Sequence, residues 1–468
     1  MATRLSTLLT TIPELGFVPS GSVRIPELQN VRMTRRIQHI VDHPAFQRLR
    51  RVRQLGPTHL VYPGATHTRF EHSLGVYACT QRYVLNLLQT PAFEESVKEE
   101  DILTVLLAGL LHDLGHYPFA HNLEALHLKG RDTPRHEDVG GRIIRGDIAA
   151  LQGDQPVGEL IRTHFGVDPE RVNALCTGLG IETSMDKILR SIISSAIDAD
   201  KMDYLERDSI HLGVPYGRNY DRERLLSSLT LNEAEDRIAI LSKGKVSAEI
   251  FIFGRYTMFS EAYWHHTVRS ASAMMEAALA AFYSRNEIHG DELLNVLISH
   301  SDDELLSWLS RESPESSATR YLIDPLYRNQ RRLHKRVATY SRVYTEPDKR
   351  SAYEKIYQMD ADQIYNLTDR LRVKLSSLLG RPLHPADLII DTPPRDKDRL
   401  ETVDVMYPNA SGRRQYPLHE LSRIVAGVQD DFMMVVKKIR LFAEPRVAAD
   451  LAKLDGVEEF LLSEILRK

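Results

Sequence analysis

Residues 102–121 read ILTVLLAGLLHDLGHYPFAH, an apolar run ending in His112-Asp113 with His116 and His121 just beyond. Imidazole and carboxylate are mixed nitrogen and oxygen ligands for one divalent ion. Adjacent His and Asp point different ways on a helix, yet both reach an ion beside or beyond the helix end. A solitary pair of this kind is often surface chemistry. Here other segments offer partners. His72 stands near the start of a helix opened by Arg69-Phe70-Glu71. The stretch 186–211 runs from Ile188, Ile192, Ile193, Ala196 and Ile197 into Asp198, Asp200, Lys201, Asp203, Tyr204 and Asp208. A carboxylate entered directly from a core stripe is costly unless it is paired or metal-bound. Asp200, Tyr204 and Asp208 recur every fourth residue and so share one helix face.

Three separated segments therefore offer ligands: His72, His112-Asp113, and one of Asp198 or Asp200. Two imidazoles and two carboxylates leave room for water on a divalent ion, which is what hydrolysis needs. The set suits Mn, Fe, Zn or, less readily, Mg. A second Mg travelling with the substrate phosphates is a further expectation, and His116 with His136 could hold an extra ion themselves. Otherwise His116 and His136 are candidates for acid–base work, with Glu137 orienting or polarising His136. Arg69, Lys201 and Tyr204 suit a polyphosphate. No glycine loop of the phosphate-cradle or dinucleotide type is present, which argues against those enzyme classes.

The elements that must position these groups belong to a chain of 468 residues, 42% hydrophobic and 26% charged, with formal charge −4. That is enough for one large helical core and a smaller second domain. No global basic field advertises nucleic acid, so polymer binding would need a local patch. Two distant cysteines make neither a disulfide scaffold nor a thiolate cluster, and no apolar run reaches membrane length. A cytoplasmic protein with no membrane partner is expected. The expected divisions are an irregular arm at 1–30, a main domain at 31–285 and a C-terminal region at 286–468.

Within these divisions, 31–56 reads as two helices with Asp42 as a cap and Pro44 in the first turn. Arg48, Arg50, Arg51 and Arg53 form either a solvated face or a phosphate-gathering one. Helices are expected at 69–88, 101–113, 136–148, 186–211, 251–284, 291–310 and 351–378. His127 and Arg131 fall in a polar stretch between the second and third of these. Two strands joined by a turn at Lys243-Gly244-Lys245 are expected within 226–250. The stretch 383–411 alternates strand-like pieces with turns, and helices at 419–440 and 447–467 close the chain.

The stretches FQRLRRVRQLGPTHLVYPGATHTRFEHSLG (46–75), LLHDLGHYPFAH (110–121), RHED (135–138), IDADKMDYLERD (197–208) and EAYWHHTVR (261–269) carry a resemblance. The chain resembles the HD-domain metal-dependent phosphohydrolase superfamily, in the branch of deoxynucleoside triphosphate triphosphohydrolases. The resemblance implies a mainly α fold, an HD-domain helical core with a smaller α+β C-terminal region. It implies metal ligation by His72, His112, Asp113 and Asp200, and so favours Asp200 over Asp198. It makes His116 and His136 catalytic histidines, Glu137 the carboxylate beside the second, and His121 a pocket histidine. It places Arg69, Lys201 and Tyr204 at the phosphates, Asp208 and Tyr263 near the sugar, and Gln54 with Leu55 at the 3′-hydroxyl.

Asp42, Gln47 and Arg50 match positions that line a nucleotide effector site. The Asp-Pro-x-His-Gly-like stretch of effector-activated members is replaced here by VRIPELQNVRMTRR (23–36). The implied products are a deoxynucleoside and inorganic triphosphate, formed by water attack on the α phosphorus, and the implied assembly is a homo-oligomer, dimer or tetramer. Two other readings compete. One is a related phosphohydrolase acting on another nucleotide or phosphoester. The other is a nucleic-acid-binding protein with a structural HD core, motivated by the Arg, Lys and Tyr interspersed through 326–343.

Overall fold

The computed structural model describes residues 4–16, 21–26, 30–124, 133–286, 288, 290–328, 330–344, 346–393 and 401–467. His127, Arg131 and residues 394–400 of the 383–411 stretch lie outside the described residues. The molecule is mainly helical, with a smaller mixed-sheet region towards the C-terminus. No helix among the described residues is long and apolar enough to cross a membrane.

The N-terminal arm is not irregular throughout. Arg4–Thr11 is a helix, α1, because Leu5, Leu8, Leu9 and Ile12 recur at helical spacing and Leu8 and Ile12 bury against the main core. Pro13 prevents its continuation. Strands β1 (Gly21–Val23) and β2 (Val31–Met33) pair antiparallel. Helix α2 (Arg35–Val41) is capped by Thr34, whose hydroxyl accepts from the Ile37 amide. Asp42 closes α2 at its C-terminal end instead of capping the next turn. His43 does that, accepting from the Ala45 amide, with Pro44 at the first position of the turn.

Two helices form the centre. Helix α3 (Arg69–Leu87) packs along α4 (Glu99–Leu111), and every residue of α4 from Asp101 to Leu111 is buried. A helix apolar all round belongs in a core. Its end therefore delivers His112 and Asp113 into the interior. A short helix, α5 (Ala120–Glu124), and α6 (His136–Arg145) follow.

The expected single helix at 186–211 is two. Helix α7 (Ser184–Ile193) stops, the chain turns, and α8 (Ala199–Leu212) starts on the Asp198 cap. The buried Asp198 carboxylate accepts from the amides of Ser195 and Lys201 and so stabilises the break. Strands β3 (Leu229–Leu231) and β4 (Ile238–Leu241) turn at 232–237, where the Asn232 side chain accepts from the Asp236 and Arg237 amides. The Lys243-Gly244 stretch, expected as that turn, instead leads into α9 (Lys245–Thr257). The aromatic helix expected at 251–284 is likewise divided. A π-helical turn at Met258–Tyr263 separates α9 from α10 (His266–Arg285).

The stretch 291–310 splits at the Ser301 cap into Gly290–Ser299 and α11 (Asp302–Arg311). The segment 351–378 splits in the same way into Pro347–Tyr357 and Ala361–Leu379, at the Asp360 cap. The basic stretch contributes β5 (Lys335–Tyr340). Strands β6 (Leu388–Asp391), β7 (Asp404–Met406) and β8 (Gln415–Pro417) follow. The segment expected as one helix at 419–440 ends in β9 (Ile439–Ala443), the middle strand of the sheet β5-β9-β6. A second sheet runs β3-β4-β7-β8, with β4 and β7 parallel. The large core extends from Leu8 to Phe442, and a smaller one gathers β5, β9 and the closing helices between Ala338 and Ile465.

Candidate metal centre and its surroundings

The first turn of α3, the end of α4 and the first turn of α8 bring His72, His112 and Asp200 together, with their ligand atoms all within 4.8 Å of one another. His72 Nε2 lies 3.1 Å from Asp200 Oδ1 and 3.3 Å from His112 Nε2. Asp113 stands beside them, its oxygens 3.7 Å from His72 Nε2 and 3.5 Å from His112 Nε2. Ligands bonded at about 2.1 Å in tetrahedral or octahedral array stand about 3.0–3.4 Å apart, so these spacings fit an ion between them.

The far side of each ring is committed. His72 Nδ1 is 2.8 Å from Asp203 Oδ2, and His112 Nδ1 is 3.0 Å from the Gly109 carbonyl. Each imidazole then donates from Nδ1 and turns a lone pair on Nε2 towards the other ligands, as metal-bound histidines do. The local field also calls for a cation. Burial opposes charge on His72, but Asp200, Asp203 and Asp113 outweigh it and push its pKa up to about 10. Burial likewise opposes ionisation of Asp200, and His72 and His112 overcome it to hold the carboxyl down at about 2. The donor set thus fits a divalent ion.

Arg69 NH1 donates to Asp113 Oδ2 at 2.5 Å and holds that carboxyl well below its usual range against the cost of burial. Its other terminal nitrogen is 3.5 Å from the Gln54 carbonyl. The Oε1 of Gln54 is buried without a hydrogen-bond partner, and Leu55 packs half-buried against the main core.

A second cluster adjoins the first. His116, His121 and His136 bring ring nitrogens within 4.8 Å of one another. His116 is buried and both its nitrogens lack a hydrogen-bond partner, although Nδ1 is 3.1 Å from Asp113 Oδ1. Burial and the nearby charges of Arg69 and His136 hold its pKa well below the ordinary value. His136 is oriented chiefly by Glu124, whose Oε1 lies 2.8 Å from Nδ1 and accepts from the His136 amide at 2.7 Å. Glu137, expected in that role, is 3.5 Å away. Burial raises the Glu124 pKa, but the hydrogen bonds from His121 and His136 more than reverse this. Gly115 is required here, since a Cβ would sit 1.9 Å from the His136 carbonyl oxygen.

Arg48 secures the same turn, donating 2.5 Å hydrogen bonds to the carbonyls of Leu114 and His116. The arginine run is thus divided, with Arg50 and Arg51 exposed and Arg48 committed to backbone carbonyls. Arg51 pairs with Glu304, Arg53 pairs with Asp303 at 2.7 Å, and Arg50 stacks 3.6 Å above Phe70 while bonding Gln47. Asp42 stays exposed at the end of α2.

Farther along α8, Lys201 Nζ donates to Asp198 at 2.7 Å. The charge of Arg255 acts on both Lys201 and Tyr204, and the buried Nε of Arg255 has no hydrogen-bond partner. Tyr204 faces Tyr263 with ring centres 6.4 Å apart. Tyr263 donates to Asp208 at 2.5 Å, and His67 Nε2 reaches the other oxygen of Asp208 at 2.7 Å. The rings of His265 and His266 lie 4.3 Å apart, tilted by 42°, and Arg269 is spent on Asp391. Asp203, Glu124, His67 and Arg255 carry no assigned role in the sequence reading. Asp203 alone had a readable signal, three residues past Asp200 on an inward face.

A family model for the HD domain matches residues 69–208, and one for the HD associated region matches 220–453. The Bacillus subtilis protein named Uncharacterized protein YwfO is 40% identical over 245 residues, 52% of this chain and 51% of that protein. Uncharacterized protein MJ1154 of Methanocaldococcus jannaschii is 32% identical over 333 residues, 71% of this chain and 62% of that protein. The human deoxynucleoside triphosphate triphosphohydrolase SAMHD1 is 28% identical over 321 residues, 64% of this chain and 50% of that protein. The chain thus spans about half of the length of the curated relatives it matches. Among solved structures, a hypothetical protein from Aquifex aeolicus superposes with TM-score 0.65 at 25% identity, covering 92% of this chain and 99% of that one. A phosphohydrolase from Bacteroides thetaiotaomicron shares the fold, with TM-score 0.63 at 23% identity, covering 91% of this chain and 99% of that one. Metal-competent side chains on α3, α4 and α8 fall inside the matched HD segment, and the matched segment behind it takes in half the sequence. The chain belongs to the family of HD-domain proteins in which an HD associated region follows the HD domain.

Proposed function

We propose that the protein hydrolyses deoxynucleoside triphosphates to deoxynucleoside and inorganic triphosphate, as a metal-dependent phosphohydrolase. The observation that carries this reading is the row of cationic and phenolic groups continuing along α8 from the metal ligands. Lys201 and Tyr204 both feel the charges of Asp200 and of Arg255, whose buried Nε has no hydrogen-bond partner, and a phosphate chain reaching the metal would run along them. The likeness to SAMHD1, whose name states this activity, supports the same substrate class.

His72, His112, Asp113 and Asp200 would hold the ion, and the mixed nitrogen and oxygen donors suit Mn, Fe or Zn. When bound, such an ion supplies Lewis-acid polarisation and a lowered water pKa. Lys201, Tyr204 and Arg255 bind the phosphate oxygens and orient the α phosphorus. Water adds hydroxide to that phosphorus, its released proton passing to the histidine cluster, while the bond to the 5′ oxygen breaks. The leaving oxygen takes a proton from the histidine cluster. His136 is the group best placed to give it, because Glu124 fixes its Nδ1 and the ring lies in the cluster with His116 and His121. Tyr263 and Asp208 form the wall at the sugar, with Gln54 and Leu55 at its 3′ edge.

The test is to load the protein with Mn, Fe or Zn, incubate it with each deoxynucleoside triphosphate and separate the products. Release of deoxynucleoside and triphosphate is expected. Release of monophosphate alone would instead assign a phosphatase of another ester, and no turnover of any deoxynucleotide would end this reading.

A further inference from the structure

His67 lies in the loop before α3, and its side chain is fully buried, so it touches no substrate. Its Nε2 is 2.7 Å from Asp208 Oδ1, while Tyr263 donates to Asp208 Oδ2 at 2.5 Å. Asp208 is itself buried, at 1% exposure. The Nδ1 of His67 is buried without a hydrogen-bond partner. A buried N–H with no acceptor is costly, so the ring proton belongs on Nε2, aimed at Asp208.

The imidazole is also braced from behind. The His211 ring stacks on it at 4.2 Å and 18°, and His211 Nε2 is 3.0 Å from Glu71. Glu71 accepts from Arg207, which grips Asp203 through two nitrogens, and Asp203 holds the metal-facing His72. One network therefore joins the metal face to the Tyr263 wall. Gly75 lets it close, because a Cβ there would meet Asp203 Oδ1 at 1.8 Å.

We propose that His67 is a positioning residue that fixes Asp208 and, through it, Tyr263, and so sets discrimination between deoxyribose and ribose. This rests on the deoxynucleotide reading above. With the Tyr263 hydrogen committed to Asp208, the phenol oxygen can meet a sugar only as an acceptor. Its ring is held between Phe259, 5.2 Å away, and Tyr204. A wall so held has no slack for an additional 2′-hydroxyl. Without the His67 donor, Asp208 can turn and Tyr263 can follow.

The experiment compares wild type, His67→Leu, His67→Gln and His67→Asn, each loaded with metal. It measures kcat and KM for the four deoxynucleoside triphosphates and their ribonucleotide counterparts, with metal content and thermal melting recorded in parallel. Glutamine reaches the Nε2 position with an N–H and asparagine falls short of it. His67→Leu is expected to lower the deoxy-to-ribo ratio of kcat/KM about tenfold, mainly by lowering KM for the ribonucleotide. His67→Gln is expected to restore the ratio, and His67→Asn to lose it. If His67→Leu does not fold, the glutamine and asparagine variants decide the matter between them. A folded, metal-loaded leucine variant with an unchanged ratio overturns the proposal, as does equal loss in the glutamine and leucine variants. A wild type that cleaves no deoxynucleotide is a separate outcome, which removes the functional reading first and this inference with it.

Discussion

The carboxylate of Asp203 accepts from Nδ1 of His72 at 2.8 Å and thereby decides that Nε2 is the nitrogen facing Asp200 and His112. Outer partners of this kind set both ring orientation and ligand basicity. Asp203→Asn is expected to weaken metal binding about 10–100-fold. Competition against a chelator of known affinity checks this. Unchanged affinity would separate Asp203 from the metal face.

Glu124 and Glu137 make different demands on His136. The first sits 2.8 Å from its Nδ1 and the second 3.5 Å. If His136 handles the proton, Glu124→Gln lowers kcat about 10²–10³-fold, within the range of general acid–base catalysis. Glu137→Gln costs less than about tenfold, and neither change alters metal content. Steady-state kinetics with metal analysis tells them apart, and a larger loss at Glu137 would reverse the assignment.

Arg48 is a structural demand on the same turn. Arg48→Met strands the carbonyls of Leu114 and His116, which accept its two hydrogen bonds. At about 1–3 kcal/mol for each buried acceptor left unmet, a loss on the order of 2–4 kcal/mol is expected in denaturant unfolding. Lysine at this position can satisfy only one carbonyl well, so it recovers part of the loss.

Asp302 gives a pH signature. It is almost fully buried at the start of α11, where it accepts from the Arg53 amide, and its Oδ1 has no partner. Burial pushes its pKa up to about 6. The native state then holds a proton more tightly than the unfolded chain does. This cost to stability is absent below about pH 4, grows as pH rises through about 6 and is complete above it. Asp302→Asn keeps the acceptor and removes the charge. A gain on the order of 2–3 kcal/mol is expected at about pH 8, vanishing near pH 4. Denaturant melts across that interval measure it, and a gain independent of pH would contradict the assignment.

The residue types did most to reveal the metal face. His72, His112-Asp113 and the acidic start of α8 are legible because few side chains bind metals and their spacing limits who can meet. Their supporting partners are not legible in this way. Asp203 is one acid among several on α8 until α8 packs on α3. Glu124 lies in a polar stretch without period. His67 lies in a loop, where no repeat marks an inward face. Element boundaries failed where a cap interrupts a continuous apolar pattern, as at Asp198 and Ser301. They failed again at β9, because a short apolar run suits a buried strand and a buried helix equally. Arg48 looked like any other member of a charge run, and only its two carbonyl partners distinguish it.

The middle strand of the β5-β9-β6 sheet is the last of the three in sequence. On a ribosome, β5 and β6 emerge well before the strand that must lie between them. Each has to wait with bare backbone edges, which invite pairing with other chains. A premature stop between Asp391 and Ile439 would therefore do more than shorten the protein. It would leave a product with an intact HD segment and two orphaned strands, prone to self-association.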